Sequence, residues 1–233
     1  MPPSLQQAID YHRNGKLAEA ERIYAEVIAA EPGNVVAQQM MGTLKLQQGR
    51  AAEAVAFFDR AIAARADIAE VHNNRGIALC NLQRFAEAVA SFDRVLALSP
   101  RSADTLVSRA VALHALKRID DALASLKAAL SIEPKYLPAL TASANLLAEK
   151  DRFADALPFY EAALAQAPQD ADLRTRRARA LLSLKRYSEG LADLDDVLRR
   201  APHSADAWNY RGSALRGLGR LRSEEHTSEL QSH

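Results

Sequence analysis

The chain has 233 residues, of which 48% are hydrophobic and 25% are charged, a composition typical of folded domains that excludes collagen-like, mucin-like and disordered chains. Its 30 basic residues against 29 acidic ones leave a net charge of +1, so no overall field attracts the chain to nucleic acid or to an acidic membrane. The single cysteine, Cys80, cannot form an internal disulfide. No apolar stretch of membrane-spanning length occurs, and the first residues have neither a basic nor an apolar region, so we expect no signal peptide. We therefore expect a cytoplasmic protein with no nucleic-acid or membrane partner.

Prolines mark a period of 34 residues along the chain. Five of them are separated by this interval or by twice this interval: Pro32, Pro100, Pro134, Pro168 and Pro202. Ala66 stands where one more proline would fall. The period divides residues 1–221, which we expect to form one domain, into six repeats and a partial seventh: 1–34, 35–68, 69–102, 103–136, 137–170, 171–204 and 205–221.

Three further columns recur with the same period. Position 8 of each repeat is small: Ala8, Gly42, Gly76, Ala110, Ala144, Ala178 and Gly212. Position 20 is small as well: Ala20, Ala54, Ala88, Ala122, Ala156 and Gly190. Position 24 is large and apolar: Tyr24, Phe58, Phe92, Leu126, Tyr160 and Leu194. Independent columns that agree on one period indicate a repeat architecture.

Each full repeat predicts two helices. In chain order, the first repeat predicts a weak first helix, the following repeats predict complete helix pairs, and the seventh predicts a first helix alone. In the third repeat the apolar residues recur at helical spacing from Ile77 to Leu96, with breaks at 81–84 and at Pro100. We expect the proline at position 32 to end the second helix, because proline has no amide hydrogen and restricts the residue before it. Since one hairpin cannot bury its apolar face alone, we expect stacked hairpins in a right-handed superhelix.

These columns resemble the tetratricopeptide repeat, which has Trp at position 4, small residues at 8 and 20, an aromatic at 24 and proline at 32. The best copy runs from Trp208 through Gly212 to Leu215, and the resemblance covers residues 1–221. The main departure is an arginine at position 7 of four repeats: Arg75, Arg109, Arg177 and Arg211. The resemblance implies an all-α fold, a right-handed α-solenoid of helix–turn–helix repeats, and a protein or peptide partner.

Residues 222–233 leave the repeat pattern. Glu224 stands where a small residue belongs, and Ser228 stands where an aromatic belongs. The eleven residues from Arg222 to Ser232 match an in-frame translation of a common sequencing adapter. Our hypothesis is that this segment is not native, and the alternative is a genuine disordered tail. A non-native tail implies a truncated chain whose last helix exposes an apolar side, which predicts self-association through that helix.

The sequence contains no constellation for catalysis. It has no glycine-rich phosphate loop, no dinucleotide-binding fingerprint, no nucleophile elbow and no zinc-protease motif. Its histidines are scattered over different repeats without a partner one turn away, and none lies beside Cys80. We therefore expect no enzymatic activity in this chain, no metal and no cofactor.

The resemblance implies that ligands bind on the concave side of the solenoid, which is lined by positions 2, 5, 6, 9, 12 and 13 of each first helix. We single out nine candidate groove residues at these positions: Asn73, Asn74, Ile77, Val107, Val111, Asn145, Arg176, Arg179 and Asn209. The asparagine amides can hold a peptide backbone, the aliphatic residues can take apolar side chains, and the two arginines can contact a carboxylate. The alternative for each residue is an ordinary solvated helix position. Chaperone-binding members of the family hold a C-terminal carboxylate with five conserved side chains. This sequence has the required residue at only one of those five positions, so we reject a clamp of that kind.

Two functions remain open. The first is a protein-protein interaction scaffold that binds a peptide or helix of a partner protein in the groove. The alternative is the N-terminal, substrate-recruiting arm of a truncated multidomain enzyme, namely a bacterial glycosyltransferase, because similar repeat arrays precede such catalytic domains. The domain that follows residue 221 in the natural protein discriminates between the two.

Overall fold

The computed structural model describes residues 4–231, with side chains through Gly219. In this part of the chain it contains thirteen α-helices and no strand: α1 Leu5–Arg13, α2 Leu17–Ala30, α3 Val35–Gln47, α4 Ala51–Ala64, α5 Ala69–Asn81, α6 Phe85–Leu98, α7 Ala103–Ala115, α8 Ile119–Ile132, α9 Leu137–Glu149, α10 Phe153–Gln166, α11 Ala171–Ser183, α12 Tyr187–Arg200 and α13 Ala205–Gln231. The predicted all-α fold is confirmed. None of the described helices combines the length and the apolarity needed to cross a lipid bilayer.

The helices follow the 34-residue period. From the second repeat on, each first helix begins at position 1 of its repeat, whereas α1 begins later, at position 5. All six second helices begin at position 17 and end at position 30, two residues before the proline column. The repeat columns therefore coincide with the helix boundaries along the chain.

Proline alone does not end the second helices. The helix α4 ends at Ala64, the same position as the other second helices, although Ala66 replaces proline in its repeat. The residue after the helix, Arg65, leaves the helical conformation with a φ of −152°, much as Glu31 does after α2 with a φ of −134°. The expectation that proline ends the second helix is therefore wrong for repeat 2, where the helix ends at the same position without it.

The turn inside each hairpin places a left-handed residue at position 15. In the first two repeats this residue is glycine, with φ 73° at Gly15 and 75° at Gly49. In the next four it has a side chain, with φ between 55° and 61°: Gln83, Lys117, Asp151 and Lys185. The following N–H bonds back to the carbonyl at position 11, as Arg84 N does to Leu79 O at 2.9 Å. This Schellman arrangement satisfies the carboxyl end of the first helix.

The chain divides into two compact units, residues 1–132 and 133–233, called here the N-terminal unit and the C-terminal unit. In the N-terminal unit, α1–α8 form four hairpins, and the second helix of one hairpin packs against the first helix of the next, as α4 does against α5. In the C-terminal unit, α10 packs against α11 and α12 packs against α13 in the same way. Each unit is therefore an α-solenoid of stacked hairpins.

Positions 8, 20 and 24 lie at the centre of each hairpin. The position-24 side chains expose at most 2% of their surface: Tyr24, Phe58, Phe92, Leu126, Tyr160 and Leu194. In repeats 2 and 3 the ring of phenylalanine fills the space in front of position 8. A Cβ atom on Gly42 would lie 2.6 Å from the Phe58 ring, and one on Gly76 would lie 2.5 Å from the Phe92 ring. In these two repeats glycine at position 8 leaves room for the phenylalanine ring, whereas repeats 1 and 5 combine alanine at position 8 with tyrosine at position 24.

The last helix, α13, runs beyond the partial seventh repeat to Gln231. The side chains after Gly219, and residues 232–233 entirely, lie outside the described residues. The hypothesis about the origin of residues 222–233 therefore stays a prediction.

Candidate functional site

Five of the nine candidate residues lie in the N-terminal unit, on the neighbouring first helices α5 and α7, which are in contact. We call them the first-helix face: Asn73, Asn74, Ile77, Val107 and Val111. Residues four apart lie on one side of a helix, so Asn73 and Ile77 share a side of α5, and Val107 and Val111 share a side of α7. The structure thus brings these five residues onto two adjacent helices.

The first-helix face leaves apolar surface uncovered. Ile77 exposes 36% of its surface and Val111 exposes 54%, and both occupy position 9 of their repeats. By contrast, position 9 holds Thr43 in the repeat before and Asn145 in the repeat after this pair. Aliphatic residues at this position therefore stand next to each other in repeats 3 and 4, where a ligand could cover both.

The amides of Asn73 and Asn74 are available for a ligand. Both side chains are partly exposed, and neither makes a hydrogen bond to any residue that the structure describes. Each amide carries two N–H donors and one carbonyl acceptor. The first-helix face therefore combines exposed aliphatic groups with uncommitted hydrogen-bonding groups.

In the C-terminal unit, Asn145 on α9 is held by a tyrosine. The hydroxyl of Tyr160 donates to Asn145 Oδ1 at 3.0 Å, which takes up the amide oxygen. Burial raises the pKa of Tyr160, and the charges of Arg176 and Arg179 offset this rise only in part. The hydroxyl therefore keeps its proton at neutral pH and remains a donor. The Asn145 Nδ2 group makes no hydrogen bond within the described residues, so it is left as a donor for a ligand.

Two arginines of α11 add positive charge near Tyr160. Arg176 donates from Nε to Asp172 Oδ2 at 2.8 Å in an exposed pair one turn apart, whereas Arg179 has no ion-pair partner in the described part of the chain. Together, Asn145, Arg176 and Arg179 form what we call the donor patch, since its unused hydrogen-bonding groups are all donors. Such a group of donors suits a carboxylate.

The ninth candidate, Asn209, lies exposed on α13, which contacts α11. Its backbone carbonyl accepts a bond from Ser213 Oγ at 3.2 Å, and its side chain bonds to no described residue. Asn209 therefore lies on α13, the helix next to the one that carries the two arginines of the donor patch.

Three of the four arginines at position 7, which the sequence marked only as a departure, join successive hairpins, whereas Arg177 bonds to Asp193 of its own hairpin. Arg75 Nε donates to Asp59 Oδ1 of the preceding repeat at 2.6 Å, and its Nη1 donates to Ser91 Oγ at 2.8 Å. Arg109 repeats both bonds with Asp93 and Ser125, each at 2.6 Å. In the C-terminal unit Arg211 Nε donates to Asp195 Oδ1 at 2.6 Å. The signal in the sequence is an aspartate sixteen residues before each of the three arginines that join hairpins.

Position 4 also has a shared role that the sequence did not disclose. Side chains of four different types donate an N–H to the carbonyl at position 32 of the preceding repeat: Gln38 to Pro32 at 2.9 Å, His72 to Ala66 at 2.9 Å, Arg174 to Pro168 at 2.6 Å and Trp208 to Pro202 at 2.9 Å. The terminal N–H, and not the ring or the charge, is what these residues have in common. The signal that could have revealed this bond is a side-chain N–H donor at position 4 in four of the seven repeats.

Among the described residues, no group of three or more histidine, cysteine, aspartate or glutamate side chains could hold a metal ion. Burial raises the pKa of the Cys80 thiol, which disfavours the reactive thiolate at neutral pH. What the candidate residues offer is apolar surface and hydrogen-bond donors, which is the chemistry of binding.

Two sequence profiles, both of the tetratricopeptide repeat, match this chain. One matches residues 11–74 and 146–214, and the other matches residues 73–136. No curated protein sequence is detectably similar to it.

Solved structures of low sequence identity share the fold. YrrB, described as a TPR protein with an unusual peptide-binding site, is 18% identical with a TM-score of 0.69, over 81% of this chain and 97% of that one. PilW, described as a widely conserved type IV pilus biogenesis factor, is 22% identical with a TM-score of 0.74, over 88% and 94% of the two chains. A tetratricopeptide repeat protein from Parabacteroides merdae is 19% identical with a TM-score of 0.73, over 94% and 86%. At these identities the likeness shows the fold alone.

Proposed function

Because this chain belongs to the tetratricopeptide repeat family, we propose that it is a non-catalytic interaction scaffold that binds a segment of a partner protein along its first helices. Stacked repeats present many side chains in a regular row, which suits an extended peptide or a helix. The observation that carries the proposal is the first-helix face, where exposed aliphatic groups lie beside uncommitted amides.

On the first-helix face, each chemical group has a part in binding. The amides of Asn73 and Asn74 bond to the backbone of the bound segment without reading its sequence. Ile77, Val107 and Val111 take its apolar side chains, and burying them supplies most of the affinity. This arrangement favours a segment with apolar residues over a wholly charged one.

In the C-terminal unit, the donor patch binds a carboxylate of a partner protein. Arg179 supplies charge that no described acidic group neutralises by a direct ion pair, and the Nδ2 group of Asn145 supplies a second donor. Arg176 exchanges its exposed bond to Asp172 for one to the ligand at little cost, because exposed ion pairs contribute little to stability. Asn209 on the adjacent α13 contacts the backbone of the same segment.

The ligand class also has support from a structural neighbour. YrrB is described as a TPR protein with an unusual peptide-binding site. We extend peptide binding to this chain as part of the proposal, with the first-helix face as one binding surface in the N-terminal unit and the donor patch as a separate one in the C-terminal unit.

Self-association through α13 is a further part of the proposal. Leu215, at position 11 of its repeat, exposes 45% of its surface, whereas Leu79 and Leu113 at the same position are fully buried. Contact with a second copy would cover this side chain. Sedimentation of the wild-type protein and of Leu215→Ser at several concentrations checks it: a dimer that the substitution abolishes is expected, and a monomer at all concentrations contradicts it.

The experiment that tests the scaffold is selection of a displayed random-peptide library on the purified chain, followed by binding measurements with the enriched peptides. We expect peptides with apolar residues whose affinity falls at least tenfold in an Ile77→Ser, Val111→Ser double variant. Ala56→Ser, an exposed residue on the second helix α4, is the matched control and should leave affinity unchanged. No enrichment, or an equal loss in the control, contradicts the proposal.

A separate measurement addresses the glycosyltransferase arm. The natural full-length protein is assayed for hydrolysis and transfer with a panel of nucleotide-sugar donors. Turnover would make the scaffold an arm of an enzyme, and no turnover with any donor would contradict this alternative.

A further inference from the structure

A cavity of about 230 Å³ lies between α4, α5 and α6 in the N-terminal unit. Its wall includes His72 and Arg75, which lie one turn apart on α5. Ile77 of the first-helix face follows Arg75 by two residues, about 200° around the helix. The cavity therefore opens on the side of α5 that faces away from the proposed peptide-binding surface.

The polar groups that form the floor of this cavity are already held. Arg75 donates from Nε to Asp59 and from Nη1 to Ser91, and Ser91 Oγ in turn donates to the Glu87 carbonyl at 3.0 Å. His72 donates from Nε2 to the Ala66 carbonyl. These bonds fix the cavity wall before any ligand arrives.

What remains unused in the cavity is mainly hydrogen-bond donors. The Nη2 group of Arg75 makes no hydrogen bond among the described residues, and neither does any group of the Arg94 guanidinium, which is exposed. Two arginines face one aspartate, Asp59, and the Nε bond of Arg75 occupies one of its oxygens. The cavity therefore has an excess positive charge and at least one unpaired guanidinium.

The neighbouring repeat shows that the unpaired arginine is not part of the inter-hairpin bonds. Repeat 4 has the same bonds from Arg109, but Leu106 stands at the position of His72 and Ala128 stands at the position of Arg94. The hairpins stack there without a second arginine. Stacking alone therefore gives no reason for Arg94.

We propose that this cavity binds a small oxyanion, a carboxylate or a phosphate, between the guanidinium of Arg94 and the Nη2 group of Arg75. Guanidinium groups bind both anions through paired N–H donors. At about 30 Å³ per water molecule, the volume accommodates such an anion with part of its hydration shell. The site is independent of the peptide-binding surface, so either proposal can fail without the other.

The test is a titration of the isotope-labelled full chain followed by NMR, with sodium phosphate and sodium acetate as probes and sodium chloride holding ionic strength constant. We expect saturable shifts at Ser91 and at the Arg94 side chain with at least one probe. The probe that saturates at the lower concentration identifies the preferred anion.

Two variants decide whether the binding is specific. Arg94→Ala should weaken the saturable binding at least tenfold, and Arg94→Lys, which keeps the charge but not the paired donors, should weaken it less. Arg60→Ala is the matched control, because Arg60 occupies the same position of repeat 2, where it stacks on the Phe57 ring at 4.9 Å. Its effect should stay below twofold. The proposal is overturned if neither probe saturates, or if Arg60→Ala and Arg94→Ala weaken binding equally.

Discussion

Arg109 and Asp93 join two successive hairpins, with Nε of the arginine 2.6 Å from Oδ1 of the aspartate, although the two residues are sixteen positions apart in the chain. The same arginine reaches Ser125 in its own hairpin, so one guanidinium ties three helices together. Arg75 makes the equivalent pair of bonds one repeat earlier. In repeats 3 and 4, position 7, where the family commonly has an apolar residue, thus joins successive hairpins through polar contacts.

These bonds should contribute measurably to stability. A double-mutant cycle on Arg109→Ala and Asp93→Ala is expected to give a coupling free energy of about 0.5–1 kcal/mol, because Arg109 is partly buried and Asp93 is half-exposed. The measurement is urea unfolding of the four proteins. The matched control is Arg118 with Asp121, an exposed pair three residues apart, for which a coupling below about 0.5 kcal/mol is expected. Equal coupling in the two cycles would show that bridging hairpins adds nothing.

The turn at position 15 offers a test of backbone strain. Lys117 adopts φ 61°, a conformation that costs an L-residue about 1 kcal/mol relative to glycine, so Lys117→Gly should stabilise the protein by up to about 1 kcal/mol. Gly49→Ala should destabilise the protein by a similar amount, because Gly49 has φ 75°. A Cβ there would meet no atom within 4 Å, so the backbone conformation alone is expected to account for the loss. Thermal unfolding of both variants checks the pair. Changes of the same sign in the two would rule out this explanation.

A buried lysine makes the stability of the N-terminal unit depend on pH. Lys45 exposes 3% of its surface and donates to Glu21, which also accepts from Gln48 Nε2 at 3.0 Å. The hydrogen bond from Lys45, and then that from Gln48, hold the pKa of Glu21 below its usual value of 4.5. A carboxyl group with a depressed pKa in the folded state stabilises the fold above its unfolded pKa, and this stabilisation is lost as pH falls through the folded pKa.

We therefore expect the unfolding free energy of the wild-type protein to fall as pH drops below 4.5, and Glu21→Gln to weaken that dependence. Glu21→Gln should also lower stability at neutral pH, since it leaves the buried Lys45 without one of its acceptors. Urea unfolding between pH 3 and pH 7 measures both effects. Glu87→Gln is the control, because Glu87 pairs with Arg84 at the exposed surface and should change the slope less. An unchanged slope in Glu21→Gln would count against the role of this pair.

The sequence predicted the fold because the same columns recur in every repeat. Small residues at positions 8 and 20 and a large one at 24 specify a tight hairpin wherever they stand, so no contact between distant residues had to be known. Lys45 shows the limit: it occupies position 11, a column of leucines in the next repeats, and its burial depends on Glu21 in another helix. The nine candidate residues stay predictions for a related reason. Their exposure and their unused bonds, such as the Nδ2 group of Asn145, depend on the neighbours that occupy the other groups.

The contact between Gly42 and Phe58 gives the sharpest test of packing. Gly42→Ala places a Cβ 2.6 Å from the Phe58 ring, and overpacking of this kind is expected to cost about 1–3 kcal/mol. The chain itself offers the compensation, since repeats 4 and 6 pair alanine at position 8 with leucine at position 24, as in Ala110 and Leu126. The Gly42→Ala, Phe58→Leu double variant should therefore lose less unfolding free energy than the two single variants lose in sum.

The control for this change is Gly212→Ala, at the same position of repeat 7. A Cβ there would meet only Arg216 Nη1 at 3.6 Å, an ordinary contact with a flexible side chain. Because alanine is favoured over glycine inside a helix by about 1 kcal/mol, this variant should be neutral or stabilising. Urea unfolding of the four variants decides the matter. If Gly42→Ala is as well tolerated as Gly212→Ala, the ring of Phe58 moves aside freely and does not explain the glycine.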